Sequence, residues 1–424
     1  MKKILIYTLC GMISLAAQAQ TTYTLEQCKQ MALEHNIRIR NARNNLQGAE
    51  QTRKEAFTNY FPQVSAGGMW YNADKGLAKM ALSPQMELTM MKNGTMAGVA
   101  AMQPVFAGGQ IVNGNKLAKV GQEVSQLQLE QSQREVNLTT EQYYWQIVTV
   151  QEKLRTLHTL DTMLVRLEKD VKVAVDAGMT NRNDLLQVEL KHNEVKSALF
   201  NLENAHNLCK NVLAQYIGAT DSIEVVSHIA TDSLPAFPAG LYRDPKTSLA
   251  LTPEHSLLEK NLQANRLQHK MAIGKNLPIA GIGAGYVYHD LLGNSRSAGV
   301  VFASVVVPIS GWWGGSHAIK RQRLQVANAE NELRDKSELL VIRMQQTWDD
   351  FQNAYKQIDL AHSSIAQAQE NLRLNNDYYK AGTTSMTDLL NAQTLYQQSR
   401  DKYVEAFCTY QIKRLEYLQA TGRD

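Results

Sequence analysis

Proline-free segments with an unbroken helical periodicity restrict the fold of this sequence more than any other feature. The segments of about residues 110–176 and 316–380 contain no proline, and apolar side chains recur along them in alternating steps of three and four. Such a 3.5-residue spacing is typical of the seam along which long helices pack in coiled coils. At about 1.5 Å per residue, each segment predicts one helix roughly 100 Å long, which exceeds the size of a compact domain.

Shorter periodic segments accompany the two long ones. We expect two return helices and two opening helices, over about residues 182–217, 384–420, 23–60 and 253–276. Many seam positions hold Ala, His or Tyr, so the seams are thinner than a leucine zipper. The pattern therefore predicts helices that lie side by side in a sheet or tube rather than in a solid bundle.

The sequence contains one internal duplication. The stretch AGMTNRNDLL at 177–186 reappears 204 residues later as AGTTSMTDLL at 381–390. A period of this length is too long for a solenoid of short repeats. We therefore expect two helix-strand-strand-helix-helix repeats, over residues 20–218 and 252–424, joined by a proline-containing linker over 219–251.

Four stretches in which apolar or aromatic residues alternate with small or polar ones predict β-strands, over about residues 62–71, 97–106, 278–288 and 297–307. A strand of about ten residues is long enough to cross a bilayer at a tilt. Aromatic residues mark the two ends of this strand region, as in the interfacial girdles of a membrane β-barrel: Trp70, Tyr71, Tyr286 and Tyr288 at one end, and Phe106, Trp312 and Trp313 at the other. A soluble four-stranded sheet is the alternative. Because four strands cannot close a barrel and open edges are not tolerated in lipid, a membrane role requires that the chain oligomerise.

The first residues predict an export signal. Met1-Lys2-Lys3 precedes a mostly apolar stretch, and Ala17-Gln18-Ala19 is a typical cleavage site. We therefore expect a signal peptide over residues 1–19, with a buried N-terminal helix as the alternative. The remaining chain has three cysteines, and an odd number argues against a disulfide framework.

The order of these features resembles the TolC family of outer-membrane efflux proteins. The repeated A-G-x-T-x-x-x-D-L-L, the opening YTLEQC at 23–28 and the junction PVFAGG at 104–109 carry the likeness, which covers essentially the whole mature chain. The resemblance implies a mostly α fold in which long coiled-coil helices form a periplasmic α-barrel tunnel. Four strands per chain would then contribute to a β-barrel of twelve strands that three chains share.

The same resemblance implies location and partners. It places the chain in the outer membrane of a Gram-negative bacterium, in contact with outer-membrane lipid and extending into the periplasm. The implied partners are two further copies of the chain in a homotrimer, a periplasmic membrane-fusion adaptor protein, and an inner-membrane pump of the RND or ABC type. Multidrug export and type I secretion both fit such an assembly.

Functional residues also follow from the resemblance. In that family the helix-helix turns at the periplasmic tip meet the adaptor, and the matching turns here are Gly178-Met179-Thr180 and Gly382-Thr383-Thr384. Both glycines are also expected as helix C-caps. The implied periplasmic gate, which closes the resting tunnel through hydrogen bonds, comprises Asp184, Tyr379, Asp388 and Asn391. Asn391 stands where some members carry a second acidic residue, and N-terminal helix capping is the alternative role of the two aspartates.

No pattern of catalytic, metal-binding or cofactor-binding residues is present. H-E-x-x-H, C-x-x-C and phosphate-binding loops are missing, and we expect the seam residues His192 and His206 to pack in a core. The 44 Lys and Arg nearly balance the 40 Asp and Glu, so no nucleic-acid partner is indicated. The sequence therefore favours a channel that exports substrates over an enzyme. A non-conducting periplasmic coiled-coil scaffold is the alternative.

Overall fold

The computed structural model describes residues 21–423 except 76–77, 84–85, 91, 221–222, 227–228, 230–233, 236 and 291–294. The signal peptide expected over residues 1–19 lies outside the described residues. The chain divides into two compact units. The helical unit comprises the residues up to Ala42 together with Leu129–Pro253 and Glu338–Asp424, and the sheet unit comprises Arg43–Gln128 and Glu254–Ser337.

The helices and strands of the described residues follow one another in this order: β1 (Thr21–Tyr23), α1 (Leu25–His35), α2 (Ile37–Thr58), β2 (Gln63–Asn72), β3 (Ala78–Ser83), β4 (Met86–Met90), β5 (Asn93–Ala107), α3 (Gln110–Asp176), α4 (Arg182–Ile217), β6 (Ile223–Val225), α5 (Pro245–Ser248), α6 (Pro253–Gly274), β7 (Ile279–His289), β8 (Arg296–Val306), α7 (Gly311–Lys380) and α8 (Met386–Ala420). The two long helices, α3 and α7, contain 67 and 70 residues, so the length expected from the proline-free segments is present. Among the described helices, none combines the length and the apolar character that a membrane-crossing helix needs.

The opening segment of the first repeat forms two helices instead of the single helix expected over 23–60. Thr24 and Gln27 cap the start of α1 reciprocally, with 3.3 Å from the Gln27 amide nitrogen to Thr24 Oγ1. Asn36 ends α1 in an extended conformation with ψ 133°. Its side chain donates to the Tyr216 carbonyl at 3.1 Å and accepts from the Arg38 amide at 2.9 Å, so α2 can begin at once. A tertiary contact to a residue far along the chain therefore sets this break.

The periodic seams form the core of the helical unit. On α3 the residues Leu160, Leu164 and Val171 are buried, and on α4 the seam that begins at Leu185 continues through the buried Val188 and Val195. Near the end of these helices the cluster also takes in buried residues of the first turns of α8: Met386, Leu389 and Leu390. Burial of these apolar side chains stabilises the packing of α3, α4 and α8.

The main sheet of the sheet unit is antiparallel and has the order β2-β5-β7-β8. Gly68 pairs with Ala97 of β5, and Ala97 pairs with Tyr288 of β7, which pairs with Ser297 of β8. The register shifts between Pro104 and Phe106, because proline has no amide hydrogen for the ladder. β5 is the longest of the four strands, since its first residues, Asn93–Thr95, pair with the end of β2.

Two further strand pairs were not expected from the sequence. β3 and β4 form an antiparallel hairpin within the stretch that separates β2 from β5. In the helical unit, β1 pairs in parallel with β6, so the expected linker over 219–251 contains a strand as well as the short helix α5. The Tyr144 hydroxyl donates to the Val226 carbonyl at 2.5 Å and holds the end of β6 to α3.

Candidate functional site

The turn between α3 and α4 has the geometry of a glycine-terminated helix. The Gly178 amide donates to the Val175 carbonyl at 3.0 Å, and the Met179 amide donates to the Ala174 carbonyl at 2.8 Å. This pair of bonds requires a left-handed residue at position 178, where φ is 70°. A Cβ atom added to Gly178 would meet nothing within 4 Å, so the backbone angle, and not a lack of space, calls for glycine.

The turn between α7 and α8 repeats this geometry in the second repeat. Gly382 has φ 72°, and its amide donates to the Tyr379 carbonyl at 3.0 Å. The Thr383 amide donates to the Tyr378 carbonyl at 2.9 Å. Both turns therefore present the same backbone shape, with Met179 exposed in one and Thr383 in the other. Met179 is 82% exposed and can therefore contact a partner.

Asp184 lies in the first turn of α4 and takes part in its start. Asn181 is the N-cap, and its side chain accepts from the Asp184 amide at 3.0 Å. The Thr180 hydroxyl donates to Asp184 Oδ2 at 2.5 Å. The carboxylate therefore closes the turn onto α4 and also carries negative charge at a helix N-terminus, where the macrodipole favours it.

Asp388 occupies the corresponding place in α8 and forms a complete capping box with Ser385. The Asp388 amide donates to Ser385 Oγ at 3.2 Å, and the Ser385 hydroxyl donates to Asp388 Oδ2 at 2.6 Å. The Thr384 hydroxyl donates to the same oxygen at 3.2 Å. The Ser385 hydroxyl, then the Ser385 backbone and then Thr384 lower the pKa of the Asp388 carboxyl. The capping alternative thus has direct geometric support at this position.

Tyr379, in the last turn of α7, lies against the first tip turn. Its side chain lies close to Thr180 and to the Asp184 carboxylate. Burial, followed by the charge of Asp184, raises the pKa of Tyr379, whereas the Thr180 side chain lowers it. The ring packs on the apolar cluster of α3, α4 and α8. Tyr379 thus lies beside the hydrogen-bonded pair of Thr180 and Asp184, so the two repeats meet at their tips.

The fourth expected gate residue, Asn391, lies apart from these three residues. It is exposed on α8, almost one turn after Asp388. A neighbouring contact was not expected from the sequence: the Thr387 hydroxyl of α8 donates to Gln187 Oε1 of α4 at 3.0 Å. Gln187 is the residue of the first repeat that corresponds to Asn391 in the duplication. The two repeats therefore also meet through uncharged side chains at the first turns of α4 and α8.

The register of the sheet places the aromatic residues at its two ends. Trp70 and Tyr71 lie at the end of β2, and Tyr286 and Tyr288 lie near the end of β7, which runs in the same direction. The Tyr286 hydroxyl donates to Ser297 Oγ at 2.8 Å, and the Tyr288 hydroxyl donates to Ser295 Oγ at 3.1 Å. Each of these residues therefore combines an apolar ring with a polar group, as interfacial residues do.

The opposite end of the sheet carries Phe106 and the two tryptophans that begin α7. Trp312 donates from Nε1 to the Asn276 carbonyl at 2.8 Å, whereas Trp313 is 80% exposed. Between the two ends, the strands expose large apolar side chains, including Val64, Val99 and Val301. A sheet with apolar side chains exposed between two aromatic ends is suited to lipid rather than to water.

His192 shows a contact that the seam pattern did not predict. It is buried as expected of a core residue, but Nδ1 lies 2.7 Å from Glu168 Oε2 and Nε2 lies 3.1 Å from Asp161 Oδ1. Asp161 and Glu168 are seven residues apart, so both lie on one face of α3. This spacing was the sequence signal from which a pair of carboxylates on one face of α3 could have been expected. No group of His, Cys, Asp and Glu within the described part of the chain could hold a metal ion.

Comparison with known protein families identifies one family that matches this chain. A model described as outer membrane efflux protein matches residues 29–219 and 259–423, which together form most of the chain. The two matched segments correspond closely to the two repeats. Among curated proteins, none matches the sequence significantly.

Solved structures share the fold of the whole chain at low sequence identity. The outer membrane protein VceC from Vibrio cholerae is 13% identical with a TM-score of 0.78, and the alignment covers 94% of this chain and 96% of VceC. The CmeC outer membrane channel of Campylobacter jejuni is 14% identical with a TM-score of 0.77, over 94% of this chain and 85% of CmeC. The MtrE outer membrane channel of Neisseria gonorrhoeae, in its open state, is 16% identical with a TM-score of 0.75, over 94% and 89%. At this identity the likeness concerns the fold.

Proposed function

Because the chain belongs to the outer membrane efflux protein family, we propose that three copies form one channel that conducts substrates from a periplasmic adaptor and an inner-membrane pump to the cell exterior. The membership confirms the resemblance drawn from the repeated motif and its spacing. It also establishes the class of protein: a channel of the outer membrane that extends into the periplasm, and not an enzyme. The homotrimer, the adaptor, the pump and the gate belong to the proposal.

The open sheet is the observation that carries the proposal of a barrel shared by several chains, and the family resemblance gives their number as three. Among the described residues, β2 and β8 each pair with a neighbouring strand on one side only. An unpaired strand edge in lipid leaves backbone groups without hydrogen bonds, at a cost of several kcal/mol for each group. If β8 of one copy pairs with β2 of the next, three copies close a barrel of twelve strands and no edge remains.

The two tip turns are the proposed docking surface for the adaptor. Gly178-Met179-Thr180 and Gly382-Thr383-Thr384 share one backbone geometry, so a repeated element of the adaptor can meet both in the same way. The exposed Met179 supplies an adaptable apolar contact. We assign the pump to the RND or ABC type and leave the choice of cargo to it, so multidrug export and type I secretion both agree with this channel.

Tyr379, Thr180 and Asp184 are the core of the proposed gate. A hydrogen bond from the Tyr379 hydroxyl to the adjacent pair of Thr180 and Asp184 would hold the end of α7 against the first tip turn. Opening of the tip would require these helices to separate. In a trimer, three such contacts would surround one aperture, so the small free-energy contributions of the single hydrogen bonds would add. In this proposal Asp388 and Asn391 support the gate from α8.

Reconstitution tests the proposal directly. Protein extracted from outer membranes with detergent should migrate as a heat-sensitive trimer and conduct ions in a planar bilayer. Adaptor crosslinked to cysteines introduced at Met179 and Thr383 would locate the docking surface. A monodisperse, water-soluble monomer would overturn the channel proposal. A membrane-inserted trimer that does not conduct under any condition would support the scaffold alternative.

A further inference from the structure

A basic groove lies between the end of α2 and the start of α3 in the sheet unit. Its volume is about 610 Å³, and its polar lining includes four cationic side chains, Arg53, Lys54, Lys116 and Lys119. Glu50 is the acidic residue in the lining, and Lys119 Nζ lies 3.8 Å from Glu123 Oε1 beside it. Arg53 also donates to Gln122 at 2.9 Å. The lining carries three more positive than negative charges, so the groove is suited to an anion.

Aromatic and aliphatic side chains form the apolar part of the same groove. Phe57, Tyr60 and Val112 line it beside the cations. The ring of Phe57 contacts Tyr60 and Phe61 edge to face, each at 5.6 Å between centroids. Phe57 and Phe61 are both more than half exposed. Cations next to exposed aromatic rings match a ligand that has an anionic head and an apolar body, not a fully hydrated ion.

The groove lies where the helices meet the sheet. Helix α2 ends at Thr58 and β2 begins at Gln63, while β5 ends at Ala107 and α3 begins at Gln110. The four cations are therefore all within about twelve residues of a strand end, which corresponds to roughly 18 Å along a helix. The family is located in the outer membrane, and the strands are the part of the chain proposed to lie in the lipid. The groove beside the strand ends would therefore lie at the level of the lipid headgroups.

The internal duplication repeats three of the four cations, whereas Arg53 matches His269. Asn45-Leu46-Gln47 of α2 matches Asn261-Leu262-Gln263 of α6, and this match places Lys270 at the position of Lys54. The offset of 204 residues between α3 and α7 gives the other two matches, Lys116 with Lys320 and Lys119 with Arg323. All three second-repeat cations are exposed, and the exposed Trp312 and Trp313 lie on the same helix as two of them. A surface that required only solvation would not need a cation at all three positions in both repeats.

We propose that the basic groove binds the phosphate headgroup of an anionic phospholipid in the periplasmic leaflet of the outer membrane. The cations contact the phosphate, and the first part of the acyl chains lies over Phe57 and Tyr60. The corresponding cations of α6 and α7 form a second site of the same kind. This inference rests on the proposed position of the sheet in the membrane, but it does not depend on conduction, the adaptor or the pump.

Native mass spectrometry of the detergent-solubilised full assembly tests this proposal. Phosphatidylglycerol and phosphatidylethanolamine would be added at equal concentration, and the number of bound molecules counted. We expect phosphatidylglycerol to be retained about fivefold more than phosphatidylethanolamine, with a preference that weakens as salt rises. The variant that combines Lys54→Gln, Lys116→Gln and Lys119→Gln should lose about half of the specifically bound lipid. The variant that combines Lys270→Gln, Lys320→Gln and Arg323→Gln should lose the remainder.

A matched variant separates a local site from a general loss of positive charge. Lys169→Gln, Lys172→Gln and Lys196→Gln together remove the same charge from exposed positions in the helical unit, and lipid retention should not change. Equal retention by this control and the first groove variant would overturn the proposal. Full displacement of the lipid by inorganic phosphate at low millimolar concentration would also overturn it, because the groove would then be a free-anion site. Assembly and conductance of the groove variants, measured in parallel, show separately whether the channel proposal holds.

Discussion

Tyr379, in the last turn of α7, lies beside Thr180 in the turn that precedes α4, where the Tyr379 hydroxyl can bond the Thr180 side chain. Thr180 in turn donates to Asp184. The duplication places Val175 at the position of Tyr379 in the first repeat, and a valine side chain cannot make such a bond. A hydrogen bond of this kind is therefore possible at only one of the two tips in each chain, and a trimer would have three such positions.

Removal of the Tyr379 hydroxyl should loosen the proposed gate. Tyr379→Phe keeps the ring in the apolar cluster and removes one hydrogen bond, which contributes about 0.5–1.5 kcal/mol per chain. We expect a higher leak conductance in planar bilayers and higher sensitivity of cells to vancomycin. Tyr378→Phe, at the exposed neighbouring position, is the matched control and should behave as the parent. An unchanged conductance in Tyr379→Phe would place the gate elsewhere.

Substitution of the tip glycines should reduce docking of the adaptor. Gly178→Ala and Gly382→Ala keep open space around the side chain but force a non-glycine residue to φ near 70°, which costs about 1–2 kcal/mol. Proline at these positions should have a larger effect, because it cannot adopt a positive φ. It also lacks the amide hydrogen that donates to the carbonyl of Val175 or Tyr379. Crosslinking yield to the adaptor measures the effect.

Gly48 of α2 provides the control for the tip glycines. It also has open space around its Cβ position, but it lies within a helix, so alanine should be tolerated and should stabilise the helix by about 1 kcal/mol. Normal adaptor crosslinking in all three alanine variants would argue against docking at the tips. Loss of crosslinking in Gly48→Ala as well would indicate a general fault of assembly.

Local sequence signals predicted the long helices well. The bounds expected for the first repeat, about 110–176 and 182–217, agree with α3 and α4, because Gly178 and Asn181 are strong end signals that act within one turn. In the second repeat α7 begins at Gly311, before the expected 316. There Trp312, Trp313 and two glycines give a poor helix-start signal, and the bond from Trp312 to the Asn276 carbonyl holds the first turn.

Apart from the local β3–β4 hairpin, the features that the sequence did not predict depend on contacts between distant residues. The break at Asn36 needs the carbonyl of Tyr216, and the pairing of β1 with β6 joins the first described residues to a stretch interpreted as a linker. Among the site residues, the glycine turns follow from backbone rules, whereas the family resemblance assigned Tyr379 and Asp184 to the gate and did not indicate Thr180 between them. The carboxylate partners of His192 lie on another helix, so the seam pattern indicated burial alone.

A close approach of two glycines should be essential for the sheet unit to fold. A Cβ atom on Gly108 would lie 2.1 Å from the Gly274 carbonyl oxygen, and a Cβ on Gly274 would lie 2.1 Å from the Gly108 carbonyl oxygen. Gly108→Ala or Gly274→Ala therefore forces the backbone apart, and we expect little heat-sensitive trimer in outer membranes. Gly114→Ala is the control, because its nearest neighbour is the flexible end of Met271 at 3.9 Å. Normal yield of trimer in both test variants would contradict this account.

The buried His192 should contribute to the stability of the helical unit through its two carboxylate partners. His192→Leu fills a similar volume but leaves Glu168 and Asp161 without the ring nitrogens. Loss of two charge-assisted hydrogen bonds should lower the free energy of unfolding by about 1–3 kcal/mol, since both carboxylates remain partly accessible to water. The melting temperature by circular dichroism measures this change. His158→Gln, at an exposed position of α3, should leave it unchanged, and an equal effect of the two would exclude a special role of His192.

The capping box of α8 should make the second tip sensitive to acid. Hydrogen bonds from Ser385 and Thr384 lower the pKa of the Asp388 carboxyl in the folded protein below its ordinary value. The folded state therefore gains stability from Asp388 above the ordinary pKa of an aspartate, about 3.9, and this gain is lost as the pH falls through the lowered pKa. Hydrogen exchange at the amides of the first turn of α8, followed from pH 6 downward, should show faster opening once Asp388 is protonated.

A substitution of Asp388, together with a comparison of the two repeats, shows whether protonation of Asp388 causes this acid response. Asp388→Asn cannot titrate and keeps a side-chain acceptor for the Ser385 hydroxyl, so exchange at the start of α8 should lose its dependence on carboxyl protonation. The start of α4, which Asn181 caps, is followed in the same experiment as the comparison. If Asp388 is mainly a cap, Asp388→Asn changes exchange but leaves channel conductance at neutral pH as in the parent. A rise in conductance as large as that of Tyr379→Phe would instead make Asp388 part of the gate.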